Sequence, residues 1–146
     1  MERIVPGAPV SNNHDLTVLK ECVKRHVAAA QPDSPAIYIC DSDGYIKFYN
    51  KAAVALWGRK PEIGKDLWCG SWKIFTPDGM PTSFEECPMA KSMKLGLSIR
   101  DEEIMIERPD GQRLNLMPHP DPIFDSDGRV VGAINILVDI TVQQIR

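Results

Sequence analysis

The side chains of this sequence with the greatest chemical capacity are four cysteines, Cys22, Cys40, Cys69 and Cys87. No two of them have the Cys-x-x-Cys spacing of a zinc ribbon or a dithiol redox motif. We interpret them as reduced, mostly buried thiols. Cys87 allows a second interpretation: if it caps a helix that begins at Pro88, the backbone N–H groups there would stabilise a thiolate and make it a redox sensor. We favour the buried, inert thiol.

The histidines and glutamates offer little further catalytic capacity. His14 and His26 fall near the two ends of a predicted helix, and His119 lies between two prolines, where a strand edge is expected. We interpret all three as exposed structural residues, since single histidines seldom build a site. Glu102 and Glu103 are consecutive on a predicted strand, so they point to opposite faces and cannot act as a carboxylate pair. A small enzyme is therefore the least favoured function.

The composition excludes several classes of protein. The 146 residues are 43 % hydrophobic and 25 % charged, with a formal net charge of −3, which is typical of one globular domain. The mild acidity and the absence of a Lys/Arg run argue against nucleic acid and anionic membranes as partners. No stretch approaches 18 apolar residues and the start does not resemble a signal peptide, so we expect a cytoplasmic domain without a membrane segment.

Asp-Gly pairs mark the turns that must position these side chains. Asp-Gly supplies the positive φ angles of tight hairpins, and three of the four pairs are flanked by β-rich runs. They predict five antiparallel strands, at residues 36–40, 45–49, 104–106, 113–117 and 129–138. The last strand is apolar on both faces, so both sides of the sheet need a cover. The pairs are Asp43-Gly44, Asp78-Gly79, Asp110-Gly111 and Asp127-Gly128.

One cover is predicted at the N terminus. Residues 13–30 carry apolar side chains at steps of three and four, which predicts an amphipathic helix that Pro32 ends. Its apolar stripe packs on the domain's own sheet or on a second copy of the chain, and both alternatives are open. The residues of the stripe are Leu16, Leu19, Val23, Val27 and Ala30.

The second cover is predicted between strands two and three, as two shorter helices. Asn50 caps the start of the first helix and Gly58 ends it. The second helix has Cys87 as its cap and Pro88 as its first residue, and Gly96 ends it. These helices would enclose a space against one face of the sheet.

Strand alternation and helix spacing predict which side chains line that space. Asn135 is the one polar residue in the apolar run 130–138, and a buried amide needs a partner. It either contacts a small organic ligand or forms a structural hydrogen bond, and we favour the second. Trp68 and Trp72 either wall the space or simply pack. The full set of candidate ligand-binding residues is Leu56, Trp57, Trp68, Trp72, Met89, Met93, Leu97, Ile104, Ile106, Leu114, Leu116 and Asn135.

The order of these elements and several motifs resemble a PAS domain. The segment Cys40-Asp-Ser-Asp-Gly-Tyr-Ile-Lys-Phe-Tyr-Asn50 resembles the family's D-x-x-G-x-I-x-x-x-N opening, and residues 52–58 resemble the helix that follows it. Residues 107–111 and 125–132 resemble later hairpins, and Asp139-Ile140-Thr141 is similar to the Asp-Ile-Thr that closes many members. The resemblance predicts an α+β PAS fold: a five-stranded antiparallel sheet with helices on one face, and an N-terminal helix on the other face or on a dimer partner.

The resemblance implies a sensor that binds a small ligand in its core and regulates a linked or partner effector. In this family the effector is most often a bacterial histidine kinase or a cyclic-dinucleotide enzyme, and we favour a two-component histidine kinase. A PAS fold with a solid core would instead be a ligand-free module for dimerisation and signal transmission. We divide the chain into a helical arm over 1–33, the sensor domain over 34–141 and the start of an output linker over 142–146, with any enzymatic activity in a separate domain. The residues assigned to dimerisation or transmission are Leu16, Leu19, Val23, Val27, Asp139 and Thr141.

Two cofactors of PAS relatives are not expected, although the ligand itself is left unknown. Histidine-ligated haem in the family uses a histidine on the helix before the third strand, and residues 83–97 contain none. The flavin–cysteinyl adduct uses an N-C-R-F motif, which Trp68-Cys69-Gly70-Ser71 does not match. The kind of signal is a separate question, for which chemical, redox and light signals are all kept as alternatives.

Overall fold

The computed structural model describes residues 13–28 and 35–141, and within α1 it leaves out the side chains of residues 13–16, 23 and 26–28. No helix in these ranges is both long and apolar enough to cross a membrane. A single 3-10 turn, Phe84–Glu86, precedes the third helix. The elements in chain order are α1 Asn13–Ala28, β1 Ala36–Asp41, β2 Ile46–Tyr49, α2 Lys51–Trp57, β3 Lys73–Phe75, α3 Pro88–Leu95, β4 Ile104–Glu107, β5 Arg113–Phe124 and β6 Val130–Asp139.

The strands form one antiparallel sheet in the order β2-β1-β6-β5-β4-β3. The predicted antiparallel sheet and the α+β class are confirmed, but the described residues contain six strands where five were predicted. The additional strand is β3, which pairs Ile74 with Ile106 of β4. Because β3 is only three residues long, it has too little alternation to be recognised from the sequence.

β5 is 12 residues long and runs well past the predicted end at residue 117, although it contains three prolines. Pro118, Pro120 and Pro122 alternate along the strand, so their nitrogens all face the side away from β6. On that side β4 pairs with β5 only as far as Leu116, so the prolines remove no hydrogen bond of the ladder. There the Pro120 carbonyl instead accepts a hydrogen bond from the Ile99 N–H, at 3.2 Å.

The two short helices begin and end where the sequence predicts. The Asn50 side chain accepts hydrogen bonds from the N–H groups of Ala53 in α2 and Ile37 in β1, both at 3.0 Å, so one amide caps the helix and ties it to the sheet. Gly58, at φ 73°, ends α2. α3 begins at Pro88 after Cys87 and ends at Gly96.

α1 covers the opposite face of the sheet within the same chain. Leu19 and Cys22 are buried against Ile39 of β1. Gly132 makes this approach possible, because a Cβ atom there would lie 2.7 Å from the Leu19 Cδ2 atom and 2.4 Å from the Cys40 carbonyl oxygen. Of the two alternatives for the apolar stripe, the described contacts show docking on the domain's own sheet.

Part of the predicted stripe lies outside the described residues. This applies to Ala30 and to the side chains of Leu16, Val23 and Val27. Pairing of α1 with a second copy through them stays a prediction. The same applies to the predictions for residues 1–12, 29–34 and 142–146.

Candidate functional site

A small cavity lies between the sheet and helices α2 and α3. Its volume is about 10 Å³, which is the space of one water molecule. Five of the predicted ligand-binding residues line it, from two helices and three strands. The complete lining is Tyr38, Trp57, Cys69, Cys87, Pro88, Met89, Ile104, Leu116, Pro118, Asn135 and Leu137.

Other predicted ligand-binding residues belong to the surrounding core without lining the cavity. Met93, Ile106 and Leu114 are buried in the same cluster, and Leu56 and Trp68 pack against it while partly exposed. Their side chains fill the space between sheet and helices, and this is why so small a cavity remains.

Two predicted ligand-binding residues are corrected by the structure. Trp72 is 51 % exposed, because it precedes the edge strand β3 and lies in a groove on the surface. Leu97 is 59 % exposed, because Gly96 turns the chain away from the core at the end of α3. The Leu97 backbone still bonds to Ser92 of α3: its carbonyl oxygen accepts from the Ser92 hydroxyl at 2.7 Å, and its N–H donates to the Ser92 carbonyl at 3.2 Å.

Tyr38 and Cys69 line the cavity and are absent from the predicted set. Alternation along β1 was the available signal for Tyr38, because Ala36, Tyr38 and Cys40 share the face that meets α2 and α3. Cys69 carried no such signal, since it lies in a loop whose path depends on the rest of the fold.

A chain of hydrogen bonds joins four elements around the cavity: the loop at Trp68 and the strands β1, β6 and β5. The Tyr38 hydroxyl donates to the Trp68 carbonyl oxygen at 2.5 Å and accepts from Asn135 Nδ2 at 3.3 Å. Asn135 Oδ1 accepts in turn from the His119 backbone N–H at 3.0 Å. The Asn135 amide is thus bonded within the protein, which agrees with the favoured structural interpretation.

The titratable groups of the cavity wall are held neutral. Burial raises the pKa of Tyr38 and of Cys69. Burial also raises the pKa of Cys87 to about 12, with a smaller contribution from Cys69, and outweighs the N–H groups of Met89 and Ala90, which lower it. Cys87 therefore lacks the lowered pKa on which the redox interpretation depends, and its burial agrees with the favoured inert thiol. No charged side chain lines the cavity in the described part of the chain.

Trp57 supplies the one feature of this wall that calls for a partner. Its side chain is completely buried, and its Nε1–H has no hydrogen-bond partner among the described residues. The rings of Tyr38 and Tyr49 meet the indole edge-on, with centroids 5.1 and 6.1 Å away. Gly70 leaves the space that the ring occupies, since a Cβ there would lie 2.5 Å from it. An unpaired buried donor is costly, so it favours an acceptor at this position.

A larger surface groove, of about 540 Å³, lies beside β3. It is open to solvent, and Arg113 crosses it with its guanidinium 4.1 Å from the Phe75 ring centroid. Arg113 also pairs with Glu107 at 3.1 Å, so its charge is already partnered. Unlike the cavity, the groove holds no buried polar group without a partner among the described residues. The enclosed cavity is therefore the better candidate for a specific small-molecule site.

The sequence comparisons define the class of this domain. The family described as "PAS domain" matches residues 34–142, which is most of the 146 residues. The chain therefore belongs to the PAS domain family, and it is a sensory domain with the PAS fold. No curated protein sequence matches it.

Solved structures with this fold come from proteins of different kinds. A PAS domain from Colwellia psychrerythraea is 22 % identical, with a TM-score of 0.58 over 83 % of this chain and 98 % of that one. The PAS domain of the fruit-fly ELK potassium channel is 17 % identical, with a TM-score of 0.60 over 84 % and 97 %. The LOV domain of a blue-light-activated histidine kinase from Erythrobacter litoralis is 18 % identical, with a TM-score of 0.55 over 77 % and 99 %. At these identities the likeness shows the fold alone.

The residues of the cavity do not fit a flavin. The three-ring system of a flavin needs a wide slot, and here the buried side chains of Trp57 and Met89 fill the space between helices and sheet. The remaining volume of about 10 Å³ is far below that of a three-ring molecule. For metal ions, the described residues contain no group of three or more His, Cys, Asp or Glu side chains arranged to hold one.

Proposed function

We propose that this PAS domain senses a small neutral molecule bound in the core cavity and regulates a linked or partner effector of the histidine kinase type. In this proposal the domain works in the cytoplasm and catalyses no reaction itself. The observation that carries the proposal is the Trp57 Nε1–H, a buried donor that has no partner among the described residues and belongs to a side chain that lines the cavity. An acceptor atom of the ligand would satisfy it.

The chemistry of the wall supports a neutral ligand. Tyr38, Cys69 and Cys87 stay protonated, so no side chain of the described lining carries a charge that would balance a bound anion or cation. A molecule larger than water needs the wall to yield. Met89 and Met93 of α3 are the side chains best suited to this, because methionine is unbranched and adaptable.

The exit of the chain from the sheet supports a role in transmission. The Thr141 hydroxyl donates to Asp139 Oδ1 at 2.5 Å and accepts from the Asn115 N–H of β5 at 2.9 Å. The Ile140 N–H donates to the Asn115 carbonyl at 2.8 Å. Asp139 and Thr141 thus fasten the end of β6 to β5, two strands that form walls of the cavity. The LOV domain of the Erythrobacter litoralis histidine kinase, which has the same fold, supports an effector of that type.

Native mass spectrometry of freshly purified protein, with an absorption spectrum of the same sample, tests the ligand. We expect an added mass that disappears on denaturation and belongs to a compound uncharged at neutral pH. Ile104→Phe, which places a ring in the cavity wall, should reduce the amount bound. Val138→Phe is the matched control, because Val138 is exposed on the sheet and does not line the cavity. A bound anion, or equal binding by both variants, would contradict the proposal.

A second candidate function is favoured by the small size of the cavity. With room for about one water molecule, the domain would be a ligand-free module for dimerisation and transmission. This second candidate function predicts no added mass in the native mass spectrum. It also predicts dimers in sedimentation experiments at high protein concentration. A monomer that carries no ligand would exclude both candidates.

A further inference from the structure

Trp68 has a strained backbone next to the cavity. Its φ is +67°, which is rare for a bulky aromatic residue. The Cys69 N–H donates to the Leu67 carbonyl at 2.7 Å, so Trp68 is the central residue of a three-residue γ-turn of the uncommon kind with positive φ. Such a conformation persists only where its surroundings hold it.

Two hydrogen bonds to the Trp68 backbone hold this turn. The Trp68 N–H donates to the Gly44 carbonyl at 2.8 Å, and the Trp68 carbonyl accepts from the Tyr38 hydroxyl at 2.5 Å. Gly44 belongs to the β1–β2 turn and Tyr38 to β1. The turn is therefore fastened to the edge of the sheet at one point and to the cavity wall at another.

The indole ring of Trp68 is held as well. It lies directly on Gly44, where a Cβ atom would come within 2.8 Å of it. The Lys94 ammonium of α3 lies 5.6 Å from the ring centroid, and it also donates to the Glu85 carbonyl at 3.1 Å. The ring thus bridges the β1–β2 turn and α3.

The residue after Trp68 reaches the cavity. Cys69 lines it from the loop, and Cys87 lines it from the start of α3, the helix that carries Lys94. The partly exposed Trp68 ring is therefore next to both the solvent and the buried wall. If the Trp68 ring separated from Lys94 of α3, solvent would gain a path to the Cys69 and Cys87 thiols.

We propose that Trp68 is a latch: the strained turn at residues 67–69 closes the cavity, and its release is how a ligand enters. The latch deepens the proposed function and rests on it, because a latch serves a purpose only if a ligand enters the cavity. The Tyr38 hydroxyl bonds both Trp68 and Asn135, so a ligand that competes for this hydroxyl weakens the hold on the turn. Occupation of the cavity and position of the β1–β2 turn are thereby coupled.

The rate of thiol modification tests the latch without any ligand. The folded protein is treated with methyl methanethiosulfonate, a small neutral reagent, and each cysteine is followed by peptide mass spectrometry. In Trp68→Ala we expect Cys69 and Cys87 to react about tenfold faster than in the wild type. Cys22 of α1, which is buried between that helix and the opposite face of the sheet, is the internal standard and should not change.

Two further variants sharpen the result. Trp72→Ala removes an exposed tryptophan of the same loop and should leave all rates unchanged. Lys94→Met removes the cation over the ring but keeps the indole, and should speed Cys69 and Cys87 roughly threefold. It replaces Trp68→Ala as the deciding variant if that protein does not fold.

Either of two results overturns the latch. Unchanged rates at Cys69 and Cys87 would show that Trp68 does not close the cavity. Equal acceleration of Cys22 would show general unfolding instead of local opening. Because no ligand enters this experiment, a faster rate at the two thiols together with an empty native mass spectrum would keep the latch while refuting the ligand.

Discussion

Removing the Tyr38 hydroxyl should destabilise the domain more than removing any similar hydroxyl outside the cavity. Tyr38→Phe loses the hydrogen bond to the Trp68 carbonyl, which contributes about 1 kcal/mol. It also leaves Asn135 Nδ2 without its acceptor in a fully buried position, at a cost of about 1–3 kcal/mol. We therefore expect the free energy of unfolding to fall by about 2–4 kcal/mol.

Tyr49→Phe is the matched control for this substitution. Tyr49 also meets Trp57 edge-on, and its hydroxyl donates to the Pro61 carbonyl at 2.9 Å, but it bonds no buried side chain in the described structure. Its loss should cost about 1 kcal/mol. Urea unfolding followed by far-ultraviolet circular dichroism measures both values, with an unchanged m-value as the sign that two-state unfolding holds.

The two variants together decide the argument. A cost for Tyr38→Phe that is no larger than that for Tyr49→Phe would refute the role of the Tyr38 network. A double-mutant cycle with Asn135→Leu adds a second check, because removing both partners leaves fewer unpaired groups than the sum of the single losses. We expect the double variant to be more stable than additivity predicts by about 1 kcal/mol.

Three further substitutions and conditions have defined outcomes. Gly70→Ala should destabilise by about 1–3 kcal/mol in urea unfolding, because its Cβ would overlap the Trp57 ring; a neutral result would contradict that packing. Stability should fall as pH rises from about 9 toward 12, because Cys87 loses its proton in the unfolded chain before it does in the folded one. Cys87→Ala should flatten this decline by up to about 1.4 kcal/mol per pH unit in urea unfolding. Gly132→Ala should displace Leu19 and increase hydrogen exchange in α1, whereas unchanged protection would refute the close approach.

The local features of the fold were accessible from the sequence. Asn50, Gly58 and Gly96 predict the helix ends correctly, because a cap depends on a few neighbouring residues. The Asp-Gly pairs predict hairpins for the same reason. The antiparallel sheet follows from them, since short turns leave few other arrangements.

The features that depend on distant contacts were not accessible. Trp68 has a positive φ only because Gly44 and Tyr38, which are far from it in sequence, hold its two peptide groups. The same limit explains the errors at Trp72 and Leu97, which were assigned to the pocket by residue type. An apolar side chain next to an edge strand or after a helix-ending glycine has no neighbour to cover it.

Burial explains why the structure favours the inert thiol over the redox sensor as the interpretation of Cys87. Its position at the start of α3 is as predicted, and the N–H groups of α3 do favour the thiolate. The sequence offered no measure of how deeply the thiol would be enclosed. Loss of hydration is the larger effect, and it reverses the sign of the pKa shift.

The prolines of β5 also affect whether copies of this protein aggregate. Beyond the end of β4, the flank of β5 would be an open sheet edge onto which a strand of another molecule could add, leading to aggregation. Pro118, Pro120 and Pro122 offer no N–H groups there, and the Pro120 carbonyl oxygen accepts a hydrogen bond from Arg100 Nη1 at 3.3 Å. This flank of β5 is thus protected from the addition of a strand from another copy of the chain.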